Sequence, residues 1–197
     1  MRVGILLLLS VLLLHCAGKQ IITKTVDSEA VLYWSEIRRL TWDDFKGEPI
    51  LAGGAPACEI LIKNPASLER KNLLSKTRLV AECYLDKNAS WAVKSRVTET
   101  SLLYCQTLFD IYELYTRKLR AAFVAEKFDP NNATRVFNEI TNRNNDALVA
   151  RIHEFRLASE MGTNVEKTQY WAEKIKFELS QLQEHRTDLM EFHDQKQ

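Results

Sequence analysis

Hydrophobic and polar positions change rhythm along the chain. Arg2 is followed by a mostly apolar run from Val3 to Leu14. That is the cation and apolar core of a secretory signal, shorter than the about 20 apolar residues a membrane helix needs. From residue 19 to residue 85 the pattern is extended. Residues 30–34 (Ala-Val-Leu-Tyr-Trp) are β-prone, residues 57–62 (Ala-Cys-Glu-Ile-Leu-Ile) are apolar and partly β-branched, and residues 77–85 carry patches of period-two alternation. Gly53-Gly54-Ala55-Pro56 and Lys63-Asn64-Pro65 read as turns between them.

The second half is helical. No proline or glycine interrupts residues 93–128, whose apolar stripe includes Leu108, Ile111, Tyr115, Leu119 and Ala122, so a helix is expected over at least residues 95–123. Asp129-Pro130 should close it and open a second, with Asp129 as N-cap and Pro130 in the first turn. Thr163-Asn164-Val165-Glu166 has capping-box spacing and should start a third helix through Trp171, Ile175 and Leu179. Strands first and helices after predict an α+β fold, a small antiparallel sheet packed against three helices. With no repeat or linker, residues 19–197 read as one domain behind a signal peptide at residues 1–18.

Composition narrows the function. The formal charge is +1, and loss of Arg2 with the signal leaves it neutral. This excludes the basic field on which nucleic-acid affinity rests and leaves no polybasic patch for anionic lipid. Export admits two processing routes: cleavage after Cys16-Ala17-Gly18, or lipidation of Cys16 as in a bacterial lipoprotein. Membrane attachment is expected only in the second case. Of the remaining cysteines, Cys58 and Cys83 lie on the two strands expected to pair, with their midpoint in the polar connection 63–76. Facing residues of a hairpin share a constant index sum, so the two readings are a Cys58–Cys83 disulfide in an oxidising compartment or two buried thiols, with Cys105 left unpaired in either.

Two segments carry a family resemblance. Leu40-Thr41-Trp42-Asp43-Asp44-Phe45-Lys46-Gly47 resembles the opening signature of a bacterial secreted family catalogued as domain of unknown function 922 and regarded as zinc-dependent proteases. The second signature of that family is a helix reading H-E-x-x-H-F-D-I-x-E-L-Y-x-R-K-L-R. Residues 104–120 (Tyr-Cys-Gln-Thr-Leu-Phe-Asp-Ile-Tyr-Glu-Leu-Tyr-Thr-Arg-Lys-Leu-Arg) follow it closely from Phe109 onward. The similarity runs over about residues 34–179, and Met161-Gly162 stands where the family has a histidine-glycine pair before its last helix. The resemblance implies a zincin-like fold whose long central helix would carry the active site.

The metal chemistry is missing from it. In H-E-x-x-H two imidazoles share a helical face to grip zinc, and the glutamate activates the bound water. Here those positions are Tyr104, Cys105 and Leu108, and the third ligand position is Met161. Neither His153-Glu154-Phe155-Arg156-Leu157 nor the pair His185 and His193, about 12 Å apart along a helix, restores the motif. Tyr104, Leu108 and Met161 are expected to fill the vacated space. The polar stripe Gln106, Asp110, Glu113 and Arg117 reads as scaffold or a solvated face.

The resulting expectation is a pseudopeptidase with no zinc or other cofactor, acting if at all by binding in the cell envelope. Two alternatives stand beside it. One is a hydrolase using Cys105, which would need a cationic or histidine neighbour such as His153 to activate its thiol. The other is a purely structural envelope protein. Trp34, Trp42, Trp91 and Trp171 read as core before they read as a binding groove.

Overall fold

The computed structural model describes residues 26–69, 78–126 and 132–186. The signal segment with Cys16, the boundary expected at Asp129-Pro130 and His193 lie outside the described residues. Among the described residues seven short strands precede three α-helices: β1 (Val31–Tyr33), β2 (Cys58–Glu59), β3 (Ile62–Lys63), β4 (Ala66–Glu69), β5 (Arg78–Ala81), β6 (Tyr84–Asp86), β7 (Trp91–Ala92), then α1 (Glu99–Ala125), α2 (Ala133–Ala158) and α3 (Val165–Ser180). The fold is α+β, as the order of patterns predicts. Its strands form three antiparallel ladders in place of one sheet: β1-β6-β3, β2-β7 and β4-β5.

The register corrects the disulfide. Ile62 faces Leu85 and Ala66 faces Ala81, so β3–β6 and β4–β5 share one index sum, and Cys58 lies outside that ladder. It faces Ala92 on β7 instead. The apolar run 57–62 is cut in two because the turn after β6 brings β7 back alongside β2. Ser90 holds that turn: its hydroxyl donates to the Asp86 carbonyl at 2.7 Å and accepts the Leu61 N–H at 2.9 Å. Cys58, Cys83 and Cys105 are all free thiols, and the Cys58–Cys83 bond is not made.

Helix α1 starts at Glu99, four residues after the expected limit. Residues before it are still tied to the ladder, with Val93 N–H on the Ala57 carbonyl at 2.8 Å and Arg96 N–H on the Val93 carbonyl at 2.8 Å. Thr98 is extended (φ −130°) and caps the helix, its hydroxyl accepting from Ser101 N–H at 3.1 Å. α3 is capped one residue later than expected, by the Asn164 side chain on Lys167 N–H at 3.0 Å.

Burial makes α1 the axis of the molecule. From Tyr104 to Arg117 every residue except Tyr112 is buried, which marks a helix covered on all sides. α2 lays Leu148, Ile152 and Phe155 against it, and α3 contributes Trp171, Ile175 and Leu179. Leu32, Ile62 and Leu85 from the three-stranded sheet complete the same cluster. The tryptophans behave as core: Trp91 and Trp171 are buried, and Trp34 and Trp42 pack partly buried against the cluster.

Candidate functional site

The two segments that carry the resemblance meet. Leu40 N–H donates to the Gln106 side chain at 2.8 Å, and Arg39 places two N–H groups on Asp110, at 3.3 and 2.9 Å. Trp34 Nε1 donates to the same carboxylate at 2.7 Å, as does Gln106 Nε2 at 2.9 Å. The opening signature is thereby clipped to the first half of the polar stripe on α1.

Within that signature, Asp44 is 1% exposed and organises the turn. It accepts Thr41 N–H at 2.8 Å and two bonds from the Arg38 guanidinium, at 2.7 and 3.1 Å. Burial pushes its carboxyl up, but the Arg38 and Thr41 donors outweigh that and hold it below the ordinary value of 3.8. A side chain on Gly47 would run into the carbonyl oxygens of Asn88 and Ser90, at 2.7 and 2.9 Å from its Cβ, so only glycine fits there.

The rest of the stripe is buried too. Glu113 is 2% exposed and accepts Arg117 Nε at 2.9 Å, with Arg120 Nη1 at 3.4 Å. Burial raises its carboxyl, while Arg120 and Arg117 work against that rise. Arg117 also donates to the Leu179 carbonyl at 3.0 Å and lies under the Trp34 ring, 4.8 Å from its centroid. Arg120 donates to the Ala81 carbonyl at 3.1 and 2.6 Å and to the His185 carbonyl at 2.8 Å. Of the two readings open for this stripe, scaffold and solvated face, the structure selects scaffold: it is the internal ionic frame that fastens α1 to β5, α3 and the turn after α3.

Two of the positions where the resemblance would place zinc ligands are packed as core. Tyr104 stacks on Phe155 with ring centroids 5.1 Å apart, and Leu108 is 2% exposed. Gly162 abuts Tyr104 so closely that an added Cβ would lie 2.8 Å from the tyrosine Cβ and Cγ. Met161 departs from its expected role. It is 65% exposed, on a left-handed turn with Glu160 at φ 50° and Met161 at φ 55°, so Tyr104 and Leu108 occupy the space without it. A phenol, a leucine and an exposed thioether do not fit the zinc that the resemblance would imply. Among the described residues no three His, Cys, Asp or Glu side chains converge to hold a metal ion.

Cys105 is 1% exposed, and its sulfur lies 3.7 Å from Cys58 Sγ. That contact and burial push the Cys105 thiol well up, while the contact with Cys105 lowers the half-buried Cys58 thiol. His153 is exposed on α2 and makes no pair with the buried Cys105. Cys83 is 3% exposed, and burial, reinforced by the nearby Glu113 carboxylate, raises its thiol well above the ordinary value.

A cavity of about 260 Å³ opens beside the stripe, lined by Trp34, Arg39, Asp110, Arg117, Glu173 and Lys176 among others. It sets the Trp34 side chain among charged groups of both signs, of which Arg39 and Asp110 pair with each other. Sequence spacing flagged Asp110 and Arg117. It could not flag Arg39 or Glu173, which come from a loop and from another helix and meet α1 only in the folded chain.

No protein-family model, curated protein or solved structure matches this chain. The resemblance to the zinc-protease family accordingly rests on the residues quoted above.

Proposed function

We propose that the chain is an exported pseudopeptidase: a zincin-like framework whose zinc-holding positions have become core, acting by binding in the cell envelope. The observation that carries this reading is the contact between Tyr104 and Gly162. In the zinc-protease pattern the first histidine of the helix and the histidine-glycine pair before the last helix serve one metal. Here the corresponding residues are neighbours in space, yet they meet as a packed tyrosine ring against a glycine. That proximity supports a shared framework, and the side chains that meet there supply no metal ligand.

Catalysis lacks its source of nucleophile. Water without a metal keeps a pKa of about 15.7, against about 7 when bound to zinc. Cys105 supplies no substitute, because its thiol is buried and shifted away from the thiolate. The cavity beside Trp34 and Arg117 is the natural place for a ligand.

Metal analysis and a generic peptide-cleavage assay on the purified protein test the silent half of this reading. Neither retained zinc nor chelator-sensitive cleavage is expected, and stoichiometric zinc with such cleavage overturns it. Capture from envelope extracts tests the binding half, with Trp34→Ala expected to weaken capture. Equal capture by both proteins places binding elsewhere.

A further inference from the structure

The Cys58–Cys105 contact has a chemistry of its own, independent of whether the fold is a former protease. The two sulfurs come from β2 and from the buried face of α1, 47 positions apart, and stand 3.7 Å from each other. A disulfide needs about 2.03–2.05 Å, so closure asks for about 1.7 Å of approach. β2 is only two residues long and paired on one side to an equally short β7, so side-chain rotation and a small strand shift can supply it.

Exposure and protonation divide the roles. Cys58 is half-buried, and a reagent in solvent can reach it, while Cys105 behind it is sealed. The contact between the two sulfurs lowers the Cys58 thiol, while the same contact and burial raise the Cys105 thiol. Cys83 is buried on the strand side of the core, and no sulfur contact joins it to either of them among the described residues. Three thiols therefore resolve into a pair and a spectator.

We infer that Cys58 and Cys105 form a dithiol–disulfide site, with Cys58 as the attacking thiol and Cys105 as the resolving one. The oxidant is an accessible disulfide, either a low-molecular-weight one or that of a thiol oxidase. The Cys58 thiolate attacks one sulfur of it, forming a mixed disulfide and expelling the first thiolate. Cys105 then passes its proton to the released thiolate and attacks Cys58 Sγ, expelling the second. Two protein thiols become one disulfide, and the oxidant disulfide is reduced to two thiols. The bond staples β2 to the central helix across a long loop, which restricts the unfolded chain.

The full chain, reduced and then incubated with oxidised glutathione, tests this directly. Free thiols are alkylated under denaturing conditions, and peptides are mapped by mass spectrometry without reduction. The expected result is a linked pair of peptides carrying Cys58 and Cys105, with Cys83 alkylated and a higher thermal midpoint for the oxidised protein. Cys105→Ala should instead accumulate a glutathione adduct on Cys58. Alkylation of both Cys58 and Cys105 after oxidation, or a Cys58–Cys83 link, overturns the assignment. Wild-type mapping decides the matter even if the variant does not fold.

Discussion

Gly162 presses its α-carbon side against Tyr104, at a distance that leaves no room for a methyl group. Its φ of 88° would by itself disfavour any other residue. Gly162→Ala therefore combines a backbone in the left-handed region with a clash against a stacked core ring. A loss of about 2–4 kcal/mol of stability is expected, read from chemical denaturation. Met161→Gly on the same turn should do the reverse, gaining about 0.5–1 kcal/mol, because it relieves a left-handed non-glycine at an exposed position. A neutral Gly162→Ala variant would show that the α2–α3 turn is free to move away from α1.

Asp44 should govern the acid limit of stability. Its folded carboxyl is held below 3.8, so its contribution is present above that value and is lost as pH falls through the folded one. Asp44→Asn leaves Arg38 without its bidentate partner and should cost about 3 kcal/mol at neutral pH. The penalty should shrink on acidification toward pH 2. Urea denaturation midpoints across that range check both the size and the sign.

Glu113 works in the opposite direction. Burial raises its folded carboxyl above 4.5, so its contribution is full below 4.5 and declines as pH rises through the folded value. The advantage of wild type over Glu113→Gln should narrow as pH climbs from 4.5 toward neutrality. Some advantage should remain at neutral pH, since Arg117 and Arg120 lose the charge they share. Paired denaturation curves at several pH values measure it, and an advantage that widens with pH contradicts the assignment.

Writing the zinc-protease motif into the helix should not create a protease. Tyr104→His, Cys105→Glu and Leu108→His together replace a stacked ring, a buried thiol and a buried leucine with polar groups in an apolar cluster. A loss above about 3 kcal/mol is expected. Zinc uptake should be absent, since Met161 is exposed and brings no third ligand. Thermal melting and metal content after dialysis read the two effects, and a folded variant with stoichiometric zinc would contradict both.

The sequence by itself determined the class of fold and the identity of its axis. Proline- and glycine-free periodicity is a local property, so a helix over residues 99–123, though not its start, and the face Trp171, Ile175 and Leu179 were legible in the sequence. The spacing of Gln106, Asp110, Glu113 and Arg117 was legible as well, because i, i+4, i+7 and i+11 share a helix face whatever surrounds it. Whether that face met water was not, since hydration depends on what packs against it. Tertiary structure decided this by laying residues 34–40 and α3 over the stripe. The cysteine partners were decided the same way. Index symmetry assumes one uninterrupted hairpin, and the Ser90-held turn inserts β7 opposite Cys58, turning its sulfur toward Cys105 on the central helix. Local patterns are written in the chain because neighbours in sequence enforce them. Long-range pairings arise from competition among surfaces, and only the packed molecule resolves that competition.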